Sequence, residues 1–330
     1  MTMRCRFITC VSMLFLASVS LVSAFGATSL TWVEDMPFSL SWKAMRIPKW
    51  SHGAVVAVQY ANNATNPIIW IVERQRTYSV SFQLPGASSE NIYDWDRSFD
   101  GTKIALSGSA IDADGRGDFF IAWISSDGTN SIISRTSYYR PRRIAIAPDG
   151  TLWTAGQQLN GPPDAGVFRH FDQQGKLLAA FVPQSSFPDP IIPSEHSSLL
   201  RVSKDRVAWY SPRAGRYIEI SLQGVVLMDI SVNPPGDRSR GYGFGLTDKG
   251  DAFLSSLQYI PPTGRQAGLD IWSINILNKS TAMWTPVLQR PVVRQAVPDV
   301  GHIYGVDSDL SGDKLVLNCG SIIKFYKLGN

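Results

Sequence analysis

The chain has 330 residues, 44% of them hydrophobic and 18% charged, which supplies apolar material for one large core or two medium ones and excludes a disordered chain. With 31 basic and 27 acidic side chains the formal charge is only +4, so there is no electrostatic case for a nucleic-acid partner. Three cysteines, two of them within the first ten residues, exclude a disulfide scaffold.

Residues 1–24 read as a secretory signal peptide. Arg4 and Arg6 precede the apolar run FITCVSMLFLASVSLVSA, and Val22 and Ala24 occupy the small-residue positions of a cleavage site. Retention of this segment as a membrane anchor is the alternative. Cleavage takes the net charge to +2 and leaves Cys319 as the lone thiol, so a secreted or periplasmic chain forms no intrachain disulfide. Residues 25–330 are then expected to fold as a single domain and a monomer.

After a lone strand, TSLTWVE (28–34), the chain is punctuated by recurring turns: WSHGAVV, SFDGTKIAL, APDGTLW, VSKDRVAW, TDKGDAFL and LSGDKLVL. Anchored on Gly53, Gly101, Gly150, Asp205, Gly250 and Gly312, they lie 45 to 62 residues apart. Six residues before each anchor stand Ile47, Trp95, Ile144, Leu199, Phe244 and Val306; three residues after it stand Val56, Ile104, Trp153, Ala208, Phe253 and Leu315. Both positions are apolar throughout and fall in short alternating runs, so each anchor closes a hairpin of half-buried strands. Further hairpins interleave at 119–135, 167–181, 217–230 and 270–284. Two hairpins per ~50 residues make a four-stranded unit.

The expectation is an all-β, six-bladed β-propeller of four-stranded antiparallel blades. The sixth unit lacks a fourth strand and the first is preceded by a spare one, so the N-terminal strand is expected to complete the last blade and remove an exposed edge. The pattern apolar-x-apolar-x-Pro-Asp-Gly-x-apolar-Trp at 144–153 resembles the blades of six-bladed propellers of the TolB-like, NHL-repeat and gluconolactonase-like groups. That resemblance implies architecture and leaves activity open.

Short anchor turns define one face of such a propeller. The long, Pro-rich segments around 108–118, 157–166, 183–196, 258–268 and 286–300 belong to the other, where a rigid scaffold carries its binding groups. Ten residues before the anchors stand Lys43, Asn91, Arg140, Glu195, Arg240 and His302; eight residues before them stand Met45, Tyr93, Arg142, Ser197, Tyr242 and Tyr304. These residues, with His196, are expected to converge on the mouth of the central channel. Arginine forks suit a carboxylate or phosphate, and tyrosine faces suit a sugar or an aromatic ring. Polar strand starts at a solvent-exposed rim are the plainer explanation of the same pattern.

DADGRGD (112–118) places Asp112, Asp114 and Asp118 in a glycine-containing loop, a partial calcium motif. Arg116 in the fifth position and the missing twelfth glutamate favour a solvated acidic turn over a calcium site, and no cofactor is expected. No nucleophile elbow and no phosphate-cradling loop is present. The gluconolactonase-like resemblance implies a divalent metal held by Glu, Asn and Asp from different blades. Glu195, Asn91, Asp96 and Asp307 supply such groups here, but Lys43, Arg140 and Arg240 would repel a dication. The preferred function is an exported binding module for an anionic or saccharide-like ligand, or for a partner protein on the long-loop face. The alternative is a metal-dependent propeller hydrolase or lyase, and the sequence leaves enzymatic activity undecided while leaning against it.

Overall fold

Runs such as AVVAVQY, LWTAGQQ and AFLSSLQYI combine apolar and small residues, are buried on both faces over their first five or six positions, and each finds its partner across a tight turn. The computed structural model describes residues 30–37, 48–60, 66–162, 165–189, 197–235, 239–261, 269–293, 305–308, 314–319 and 322–329. Within these it contains 24 strands in six four-stranded antiparallel sheets.

Blade one is β2 (Lys49–Ser51), β3 (Ala54–Tyr60), β4 (Pro67–Val72) and β5 (Thr77–Ser81). Blade two is β6 (Ala87–Arg97), β7 (Lys103–Asp112), β8 (Gly117–Ser125) and β9 (Ser131–Arg135). Blade three comprises β10 (Tyr139–Ile146), β11 (Leu152–Gln158), β12 (Gly166–Phe171) and β13 (Leu177–Pro183). Blade four comprises β14 (Leu199–Val202), β15 (Arg206–Ser211), β16 (Arg216–Ser221) and β17 (Val226–Ser231). Blade five runs through β18 (Ser239–Leu246), β19 (Ala252–Ile260), β20 (Leu269–Asn278) and β21 (Met283–Val293). Blade six is β22 (Gly305–Ser308), β23 (Lys314–Asn318) and β24 (Ile322–Leu328), with β1 (Leu30–Pro37) as its outermost strand.

β1 pairs antiparallel with β24 from Leu30↔Leu328 to Pro37↔Ile322, so the N-terminal strand supplies the fourth strand that the last unit lacks. The first strands of successive blades pack side by side, β6 on β10, β10 on β14, β14 on β18, β18 on β22 and β22 on β2, while β3 and β2 meet β6. The chain is therefore a six-bladed β-propeller.

The repeat positions carry its core. All six residues three places after the anchors, Val56, Ile104, Trp153, Ala208, Phe253 and Leu315, are fully buried. Six places before the anchors, Trp95, Ile144 and Phe244 are buried and Leu199 is half-buried; Ile47 lies outside the described residues. Apolar clusters fill the spaces between adjacent blades, as face-to-face sheet packing requires.

The inner strands present an unpaired edge toward the axis, and in blades one to four side chains from the neighbouring blade bond to it. Asp94 Oδ2 accepts the Ile144 N–H at 3.1 Å, and Asp96 Oδ2 accepts the Ile146 N–H at 2.9 Å, tying blade two to blade three. Lys49 Nζ donates to the Trp95 carbonyl at 2.7 Å, Arg143 Nε to the Ser198 carbonyl, and Asn318 Nδ2 to the Pro48 carbonyl at 2.7 Å. Burial alone would raise the Asp96 carboxyl, but Lys49, His52 and the Ser51 hydroxyl, which donates at 2.6 Å, hold it below the usual carboxylate range. These bonds cover the edge groups that an open sheet would leave exposed.

A candidate binding mouth on the long-loop face

Three first strands carry a β-bulge at the same repeat position. The pairing register shifts between Ile92 and Asp94 on β6, between Pro141 and Arg143 on β10, and between Gly241 and Gly243 on β18. The residues set out of register are Tyr93, Arg142 and Tyr242, which are the residues eight places before their anchors. A bulge bends its strand and re-aims the extra side chain. Tyr93 and Arg142 thereby meet across the boundary of blades two and three, with the Arg142 guanidinium 4.4 Å from the Tyr93 ring centroid.

The strands opposite two of these bulges need glycine. A Cβ at Gly156 on β11 would stand 2.1 Å from the Arg140 carbonyl oxygen and 2.9 Å from Tyr139 Cζ. A Cβ at Gly108 on β7 would stand 2.5 Å from the Asn91 carbonyl and 2.8 Å from Phe120 Cζ. In both blades the backbone of the residue ten places before the anchor is pressed into the space of the missing side chain, and an aromatic ring fills the rest.

Arg140 is partly buried, with its guanidinium 5.4 Å from the Phe119 ring centroid. Its Nε is buried and has no hydrogen-bond partner, and no carboxylate among the described residues pairs with it. Such a cation is poised to accept an anion. Asn91 is exposed on β6, and Arg142 is buried beneath the Tyr93 ring. Arg240 and Tyr242 lie on β18, where Arg240 is opposite Leu257. Lys43, Glu195, His196, His302 and Tyr304 lie outside the described residues. The structure thus brings Arg142 against Tyr93 and Arg140 against Phe119 across the boundary of blades two and three.

The aspartates of the 112–118 loop are engaged locally. Asp112 Oδ1 accepts the backbone N–H groups of Asp114 at 3.0 Å and Arg116 at 2.8 Å, while Asp118 Oδ1 accepts the Phe119 N–H at 2.8 Å and its Oδ2 lies 3.6 Å from Arg135. Among the described residues no three His, Cys, Asp or Glu side chains are placed to hold a metal ion. His170, on the third strand of blade three, stacks on Trp153 at 4.4 Å and bonds Thr151 Oγ1 through Nε2 at 2.8 Å, so it packs against the core. The Asp149–Gly150 turn is internally closed on the opposite face, with the Asp149 carboxylate accepting from Thr151 N–H at 2.9 Å.

The repeat pattern did not single out Phe119, Gly108 or Gly156. The signal available was a glycine within the second strand of two blades, in LSGSA and TAGQQ, where a strand otherwise disfavours it. It also missed the second hairpin of blade one, whose turn VERQR contains no Gly, Pro, Asn or Asp.

A propeller of this kind is a generic binding scaffold: rigid radial sheets hold loops around an axis. No family model matches the chain, and no curated protein matches it. Among solved structures it is similar to a chain of one described as "Crystal Structure of Mitotic Checkpoint Complex", at 10% identity and a TM-score of 0.43, over 100% of this chain and 99% of that one.

Proposed function

We propose that the protein acts after export as a binding propeller whose long-loop mouth takes an anionic ligand, a carboxylate or phosphate group borne on a small molecule or on a partner surface. The observation that supports this reading is Arg140: a guanidinium backed by the Phe119 ring, with a buried N–H lacking a partner and no described carboxylate to neutralise it. Arg142, held over Tyr93 by the bulge, adds a second cation from the same strand. Bidentate arginine contacts would fix the anion, and the Tyr93 edge would meet the body of the ligand.

The test is calorimetric titration with D-glucuronate and with inorganic phosphate. Wild-type protein is expected to bind at least one of them, and Arg140→Ala/Arg240→Ala is expected to keep its melting temperature within a few degrees while losing about tenfold or more in affinity, the loss expected for charge-assisted hydrogen bonds. Equal binding by the double variant removes the basic mouth from consideration.

A further inference from the structure

We propose a second binding site on the short-turn face, in a cleft between blades one and two, that takes a neutral polyhydroxylated ligand of monosaccharide size. The cleft arises from a difference in loop length. Five residues join the first two strands in blades two, three and five (98–102, 147–151 and 247–251), but blade one turns in only two, His52 and Gly53, at φ of +41° and +87°. Both central residues at positive φ make the tight hairpin turn that matches strand twist. The missing residues leave a recess of about 380 Å³ between this turn, the 73–76 turn of the same blade and the 98–102 turn of blade two. That volume is at the small end of the range for ligand pockets.

The floor is built and rigid. The Arg97 side chain is 8% exposed and donates Nη1 to the His52 carbonyl at 2.9 Å and Nη2 to Glu73. Gly101, at φ +73°, has no room for a side chain, since its Cβ would stand 2.4 Å from Arg97 Nη2. The His52 ring lies on Phe99 with centroids 3.9 Å apart and planes 31° from parallel, giving the cleft a flat aromatic element.

The charges at its walls are already matched. Glu73 is shared by Arg97 and Arg76, Arg74 is held by Glu34 through two bonds, and Asp100 accepts from Ser98 and Thr102. Burial holds the His52 imidazole below its ordinary range despite Asp96 nearby. Matched carboxylates and guanidinium groups keep lone pairs and protons for hydroxyl groups but present no net charge to an ion. A flat apolar ring beside them suits the C–H face of a sugar. The mouth on the opposite face has the reverse character, with a cation and no matching carboxylate described, so the two faces select different ligands.

The experiment is an amide ¹H–¹⁵N titration of the full mature chain with glucose, galactose, N-acetylglucosamine and glucuronate. At least one neutral sugar is expected to shift the Gly53 and Gly101 amides saturably. Phe99→Ala is expected to weaken that titration roughly tenfold, the loss of one aromatic contact, and Gln75→Leu, an exposed change in the 73–76 turn where Gln75 lines the cleft, is also expected to weaken it. Arg140→Ala/Arg240→Ala is expected to leave it unchanged, which separates this site from the mouth. Absence of any shift at Gly53 and Gly101, identical titrations in both cleft variants, or tighter binding of glucuronate than of glucose at these amides would overturn the proposal.

Discussion

Replacing Gly156 with alanine is expected to destabilise the protein by about 3 kcal/mol or more, at or beyond the upper end of overpacking costs in a closely packed interior. The added Cβ meets backbone, the Arg140 carbonyl at 2.1 Å, and cannot be relieved by rotating a side chain. Tyr139 beneath it is fully buried, with its hydroxyl bonded to Thr154 and to the Val167 carbonyl, each at 2.9 Å, so the ring cannot withdraw cheaply. Either β10 or β11 must move, and the bulge that aims Arg142 at Tyr93 moves with it. Gly108→Ala is expected to behave alike against Asn91. Gly117→Ala, with nothing within 4 Å of its Cβ and no positive φ, is expected to change stability by less than about 0.5 kcal/mol. Urea unfolding midpoints at constant m-value measure all three. Tolerance of Gly156→Ala at wild-type stability would show that the close approach of β10 and β11 does not exist in solution.

Glu219→Gln is expected to cost about 3–5 kcal/mol, the range for removing one partner of a buried ion pair. The Glu219 side chain is 3% exposed on blade four and is met by Lys279 from blade five, by Arg206 at 3.4 Å and by the Tyr217 hydroxyl, whose ionisation burial pushes far up. Arg206 keeps Asp205 at 2.9 Å when Glu219 is neutralised, so the penalty falls on Lys279, which retains the Gly250 carbonyl at 2.6 Å but no carboxylate. Lys279→Met in the Glu219→Gln background is therefore expected to recover part of the loss, since it removes the ammonium left without a carboxylate. Chemical denaturation of the single and double variants reads the coupling directly. An unchanged midpoint for Glu219→Gln would mean that this bond does not join blades four and five.

The architecture was legible because it is repeated. One apolar position three residues past each turn is buried six times over, and the second strands that carry it are buried on both faces because blades pack against neighbours on either side. The unfinished sixth unit and the spare first strand predicted the pairing of β1 with β24. Bulges left no such trace. Tyr93 and Arg142 fall on the expected repeat position, but only the backbone shows that they are out of register, because a bulge adds one residue without changing composition. Asp96 reads in sequence as one of the groups a metal site could use, and nothing there singles out Asp94; their role as acceptors for Ile144 and Ile146 N–H depends on a strand 50 residues away. Blade one's two-residue turn was visible in the sequence as SHG, yet its consequence, a cleft, required the neighbouring blade's longer turn beside it.

An anion site built on Arg140 at the long-loop mouth can be seen by soaking crystals of the mature protein in selenate and measuring anomalous scattering. A selenium peak is expected within hydrogen-bond reach of the Arg140 guanidinium. Ordered selenate only at lattice contacts or on the short-turn face, with no peak at Arg140, would contradict it.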